Sequence, residues 1–140
     1  MNSAVNGAIE AAGLWAALSV LMLLVLSGLT SASRRKHKVS IGDGGKAEVI
    51  AAGRAFGNAA EYMPIALIAL ALMAFSGFQV WTIHAVGGSF FLGRVLHAWG
   101  MFVTREGQPP AVQRMAGMLL TYVPLLAAAG ALIWCFVCGR

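Results

Sequence analysis

Four stretches of this chain stay apolar long enough to be helices in lipid, and short polar interruptions separate them. From 11 to 29 no residue is charged, which predicts a first helix over about 8–30 with Glu10 solvated at its outer end. The pattern predicts further helices over about 47–75, 81–103 and 111–137. Each exceeds the roughly 20 residues that crossing a bilayer requires. Ser76, Gly77, Phe78 and Gln79 leave room only for a tight turn, so helix three must return antiparallel beside helix two. Pro109 and Pro110 suit the start of helix four. Pro64 and Pro124 fall inside helices, where each should kink the chain or loosen one backbone bond, as membrane helices tolerate. Gly53 and Gly57 form a small-xxx-small pair suited to close helix contact, and residues 127–131 offer a smooth packing face. The fold class expected is an all-α membrane protein, an antiparallel bundle of four transmembrane helices.

Composition narrows this reading. The chain has 140 residues, of which 59% are hydrophobic and 11% charged, too apolar for a soluble domain. Four spans and their loops use up its length, so residues 1–140 are read as one domain. The first apolar run is longer than a signal-peptide core and no Lys or Arg precedes it, so it is expected to be a retained helix. Net charge is +5, but the cations sit in short loops between apolar runs, which argues for membrane orientation and against nucleic acid. Arg34, Arg35, Lys36, Lys38 and Lys46 lie between helices one and two, and Arg105 between helices three and four; the other side has only Arg140. The loops 31–46 and 104–110 are therefore expected in the cytoplasm, with both termini outside. The basic run could also hold a lipid headgroup, but sequence alone makes that unspecific. Gly42, Asp43, Gly44 and Gly45 lack the lysine ending and preceding strand of a phosphate loop. Cys135 and Cys138 spell a CxxC, but at a helix C-terminus the dipole disfavours a thiolate, so no redox role is expected. No metal site is read.

The candidate chemistry lies where polar groups enter the apolar runs. Arg54, Asn58 and Glu61 are spaced i, i+4, i+7, within about 60° of one another and over about 10 Å of one helix face. Arg94 and His97 share a face of helix three, and Arg114 lies in the first turns of helix four. In the predicted topology these six groups occupy one leaflet. Snorkelling accounts for an arginine but not for Asn58 and Glu61 on the same stripe. Three guanidinium groups favour carboxylates or phosphates, and Glu61 could take an ammonium. A zwitterionic peptide with more acid than base fits, glutathione among others. Glu61 is expected to be ionised and paired with an arginine from helix two or three.

The pattern R-x-x-x-N-x-x-E-x-x-P from Arg54 to Pro64, with R-x-x-H at Arg94 and His97, resembles the MAPEG superfamily, membrane-associated proteins of eicosanoid and glutathione metabolism. The likeness covers essentially the whole chain. The 42–45 turn and the 57–64 run look most like its small bacterial inner-membrane branch. The resemblance implies a homotrimer in the inner membrane with glutathione as co-substrate between neighbouring subunits. It implies that Arg54, Asn58, Glu61, Arg94 and His97 bind the peptide, that Arg114 approaches the thiol as the catalytic group, and that the second substrate is a lipophilic small molecule. The activity implied is a glutathione S-transferase or peroxidase. In enzymes of the family a tyrosine follows the helix-three histidine by four residues and contacts the sulfur; here that position is Met101. Met118 stands where some members have another tyrosine, four residues after Arg114. A thioether donates no hydrogen bond. Two other readings therefore stay open: a non-catalytic glutathione- or lipid-binding protein, and a small transporter using Glu61.

Overall fold

The computed structural model describes residues 3–104 and 107–139, so Arg105 and Arg140, both used in the topology argument, lie outside the described residues. Those described form four helices and no strand: α1 (Ser3–Lys36), α2 (Ala47–Phe75), α3 (Val80–Val103) and α4 (Val112–Val137). α2 has the bounds that its pattern predicts, and α3 and α4 differ from theirs by one residue. α1 runs further at both ends than the 8–30 expected. Its last turn is Arg34, Arg35 and Lys36, cations that the C-terminal end of a helix dipole favours. Apolar patterning marks the part of a helix that lies in lipid, not the turns beyond it. Pro64 and Pro124 are both carried inside unbroken helices.

α2 stops for a local reason. Gly77 takes a left-handed φ of 79°. The Phe78 N–H then reaches the Met73 carbonyl at 3.2 Å, and the Gly77 N–H the Ala74 carbonyl at 3.1 Å. This double bond is the Schellman arrangement, which satisfies the last carbonyls of the helix and turns the chain sharply. α3 therefore starts beside the end of α2, as the four-residue connection requires.

α1, α2 and α4 are each long and apolar enough to cross a membrane. α3 is not among these by composition, because its run includes His84, Arg94 and His97 besides four glycines. Arg94 and His97 are buried in the bundle, so α3 hides most of its polarity from lipid. The core has two stacked clusters. One joins Ala8, Ala11, Leu70, Met73, Ile83 and Ala128. The other joins Leu26, Ala55, Ala59, Met63, Ala66, Phe90 and Ala98. Alanines dominate both, which lets helices approach closely where lipid supplies no hydrophobic drive.

The tightest seam is between α3 and α4. A Cβ on Gly93 would lie 2.8 Å from the Leu120 carbonyl carbon. One on Gly100 would strike the Arg114 backbone, and one on Gly117 the backbone of His97. Gly87 and Gly88 receive the Trp15 ring from α1. By contrast nothing lies within 4 Å of a Cβ built on Gly53 or Gly57, so that predicted packing pair is open within the protomer. Of the 127–131 stretch only Ala128 is buried. The outer surface is a belt of large apolar side chains, including Leu21, Leu24, Ile65, Leu119, Val123 and Leu126, as a bilayer requires.

Candidate functional site

The glycine seam decides where the polar groups of α3 can go. With α4 pressed against Gly93 and Gly100, Arg94 and His97 are only 2% and 5% exposed. Arg94 lies near the middle of α3 and reaches sideways to both neighbouring helices. It donates from Nη1 to Asn58 Oδ1 on α2 and from Nη2 to Thr121 Oγ1 on α4. Thr121 in turn donates to the Gly117 carbonyl at 2.7 Å, which fixes its hydroxyl in place. The guanidinium lies 5.1 Å from the Tyr62 ring centroid and 5.9 Å from that of Phe90. The Tyr62 and Tyr122 hydroxyls share a hydrogen bond at 3.2 Å, closing the cluster towards the surface.

All these partners are neutral. Arg94 Nε is buried and has no hydrogen-bond partner. The ion pairs among the described residues are Lys36 with Glu48 at 2.7 Å and His37 with Glu48 at 3.0 Å, both at the far end of α1. Arg94 is thus a cation inside the bundle without a carboxylate beside it. Ring faces and amide oxygens lower the cost of burying that charge but do not cancel it.

Of the six groups predicted to share a site, the structure brings Asn58 and Arg94 into direct contact. His97 follows Arg94 by three residues on α3, and its backbone faces Gly117 of α4, three residues from Arg114. Arg114 is half-buried where its backbone meets Gly100. Arg54 and Glu61 are exposed, on the side of α2 away from the buried stripe at Ala52, Ala55, Ala59 and Met63. Asn58 sits at the edge between the two faces. The expectation that Glu61 pairs with an arginine is therefore not met among the described residues. Arg94 turns inward past Asn58 towards α4, whereas Glu61 projects outward one turn further along.

Sequence reasoning missed Tyr62 and Thr121. Tyr62 is four residues after Asn58, so helical spacing could have placed it beside the amide. Thr121 carried no such signal, because its role depends on how α4 lies against α3. Met101 is half-buried and packs against the edge of the inner core cluster, where its thioether fills space. Met118 is 37% exposed on α4.

Comparison with known proteins finds likeness over most of the chain. A family model described as the MAPEG family matches residues 12–134. The inner membrane protein YecN of Escherichia coli strain K12 is 36% identical over 121 residues, covering 86% of this chain and 88% of YecN. YecN of Escherichia coli O6:H1 matches to the same extent. No solved structure matches significantly.

Proposed function

Because this chain belongs to the MAPEG family, we propose that it binds glutathione within a bacterial inner membrane and transfers it to lipophilic electrophiles. The observation that carries this reading is Arg94, a buried guanidinium held by Asn58, Thr121 and the face of Tyr62, with no carboxylate partner and one N–H unsatisfied. Such a group gains most from an anion that enters its low-dielectric surroundings. Glutathione has two carboxylates and one ammonium. Arg94 and Arg54 would take the carboxylates, and Glu61 the ammonium. His97 would line the site from α3.

The outward face of α2 supports a homotrimer with the ligand between subunits. Arg54 and Glu61 project from the same face as Ile65, Ile68 and Leu72. Bare charges there would face lipid, at a cost of about 2.5–3.5 kcal/mol each near a helix centre. A second copy and a charged ligand would cover them. Arg114 would lower the pKa of the thiol, and the thiolate would attack an electrophilic carbon delivered from the bilayer. The new bond is sulfur to carbon, the thiol proton passes to solvent, and a leaving group departs where the electrophile has one. A peroxidase would use the same thiolate to break the O–O bond of a hydroperoxide, giving an alcohol and a glutathione sulfenic acid. A second glutathione converts the sulfenic acid to the disulfide and water.

A second reading is a protein that binds glutathione without chemistry, favoured by the thioether at Met101, which donates no hydrogen bond to sulfur. Titration calorimetry on the detergent-solubilised protein tests binding. Arg94→Gln should weaken glutathione at least roughly tenfold, since a hydrogen bond to a charged group contributes about 1.5–3 kcal/mol. Lack of any heat at millimolar glutathione with the wild type would reject both readings. Ultraviolet absorbance of bound thiolate then separates them, since only the enzyme should show it near neutral pH.

A further inference from the structure

We infer that the end of α1 and the first half of the following loop form a binding site for the headgroup of an anionic phospholipid. In sequence the basic run looks uniform. In the structure it divides into cations already engaged within the protein and cations that are free. Lys36 and His37 both close on Glu48, clamping the end of α1 to the start of α2. Arg34 spends part of its fork on the chain, donating to the Gly42 carbonyl at 2.8 Å and the Ser40 carbonyl at 3.4 Å. Asp43, the acid of this loop, accepts the Gly45 N–H at 2.9 Å. Arg35 and Lys38 are exposed, and their side chains have no hydrogen-bond or ion-pair partner among the described residues.

These two free cations line one open cleft of about 400 Å³ with Arg34, Ser31, Ser40 and Val39. The cleft has a built floor. Lys38 takes a left-handed φ of 55°, an uncommon conformation for a residue with a side chain. The bond from the Val39 N–H to the Arg34 carbonyl at 3.0 Å holds it there. Val39 in turn packs on Gly44, where a Cβ would come within 2.8 Å of Val39 Cγ2. The turn therefore brings Lys38 back beside Arg35 instead of letting it trail away. Two cations and two serine hydroxyls suit one phosphate with a polar substituent.

Depth selects a lipid over a soluble phosphate. Ser31 and Arg35 lie two and six residues beyond Leu29, where the strongly apolar run ends, at the level of headgroups. Directly below on the same outward face are Gly28, Leu24 and Val20, the last two 65% and 53% exposed. Nothing lies within 4 Å of a Cβ built on Gly28, so the helix surface is recessed beneath the cleft. An acyl chain can lie along this track while its phosphate is held above. The inference does not depend on glutathione binding, nor on which side of the membrane the loop faces.

Native mass spectrometry of the detergent-purified protein provides the test, with phosphatidylglycerol and phosphatidylcholine of identical chains as probes. Phosphatidylglycerol should be retained in preference. The double variant Arg35→Gln/Lys38→Gln should lose roughly ten- to thirtyfold of that affinity, from the usual contribution of two basic residues at a membrane surface. Lys36→Gln/Lys46→Gln removes the same net charge and should change little. Thermal stability of each variant with phosphatidylcholine alone verifies that it is folded. Equal losses in the two double variants would mean diffuse attraction and overturn the site. So would equal retention of the two lipids, or glycerol phosphate competing as strongly as phosphatidylglycerol.

Discussion

At the scale of single residues, the protein is governed by how a few polar side chains are kept in an apolar surrounding. Arg94 is tolerated because an amide, a hydroxyl and two ring faces meet it from three helices. Thr121→Val removes the hydroxyl while preserving shape. We expect it to cost about 0.6–1.7 kcal/mol of bundle stability, the range for such bonds in membranes, and to weaken glutathione further by loosening Arg94. Thermal melts with and without glutathione read both effects. Arg114→Ala should raise the pH at which bound glutathione ionises, because a nearby positive charge favours the thiolate. An unchanged ultraviolet titration would move that role to another donor, such as the Tyr62–Tyr122 pair beside Arg94. Met101→Tyr would restore the family's donor in sequence only. Met101 is half-buried against the inner core cluster, so the larger ring should crowd that edge. The expected result is a loss of about 1–3 kcal/mol, with no gain in thiolate.

At the scale of helices, the contrast between two sets of glycines is informative. Gly93, Gly100 and Gly117 bring the α3 and α4 backbones together, whereas Gly53 and Gly57 face outward from α2. Gly117→Ala should force the seam apart and destabilise the monomer by about 1–3 kcal/mol, by the usual cost of overpacking. Because His97 and Arg94 ride on that seam, binding should fall with it. Gly57→Ala meets nothing within the protomer and should leave monomer stability unchanged or slightly higher. A larger side chain there, Gly57→Leu, separates two uses of the face. If α2 packs on a second copy, mass measurement in mild detergent should show the assembly shift towards smaller species. If the face only meets lipid, the distribution should not change.

At the scale of the whole molecule, the arrangement is a bundle with a polar interior, an apolar belt and one strongly basic end. Five of the ten Lys and Arg residues lie between Arg34 and Lys46. Such a bias orients membrane proteins by keeping that end in the cytoplasm. Ser40 is exposed in this loop and its side chain can be replaced without breaking a contact within the fold. A Ser40→Cys variant should react with an impermeant thiol reagent only after the cells are opened. Labelling in intact cells would reverse the topology proposed here.

The apolar runs were enough to define four helices, because a span in lipid must be continuous and must satisfy its own backbone hydrogen bonds. Motif spacing on α2 and α3 was enough to locate the polar region, because residues three or four apart share a helix face. Spacing along one helix does not say which way that face turns. Arg54, Asn58 and Glu61 read as one stripe, yet the stripe straddles an edge: Asn58 bonds inward to Arg94 while Arg54 and Glu61 stay outside. Thr121 and the Tyr62–Tyr122 contact could not be read at all, since they join residues 27 and 60 apart that only helix packing makes neighbours. The same holds for the basic run, whose charges are equivalent in sequence. Only the turn at Lys38 and the clamp on Glu48 decide which of them remain free. Local chemistry is written along the chain, but the partners of a charge are set by the distances that folding creates.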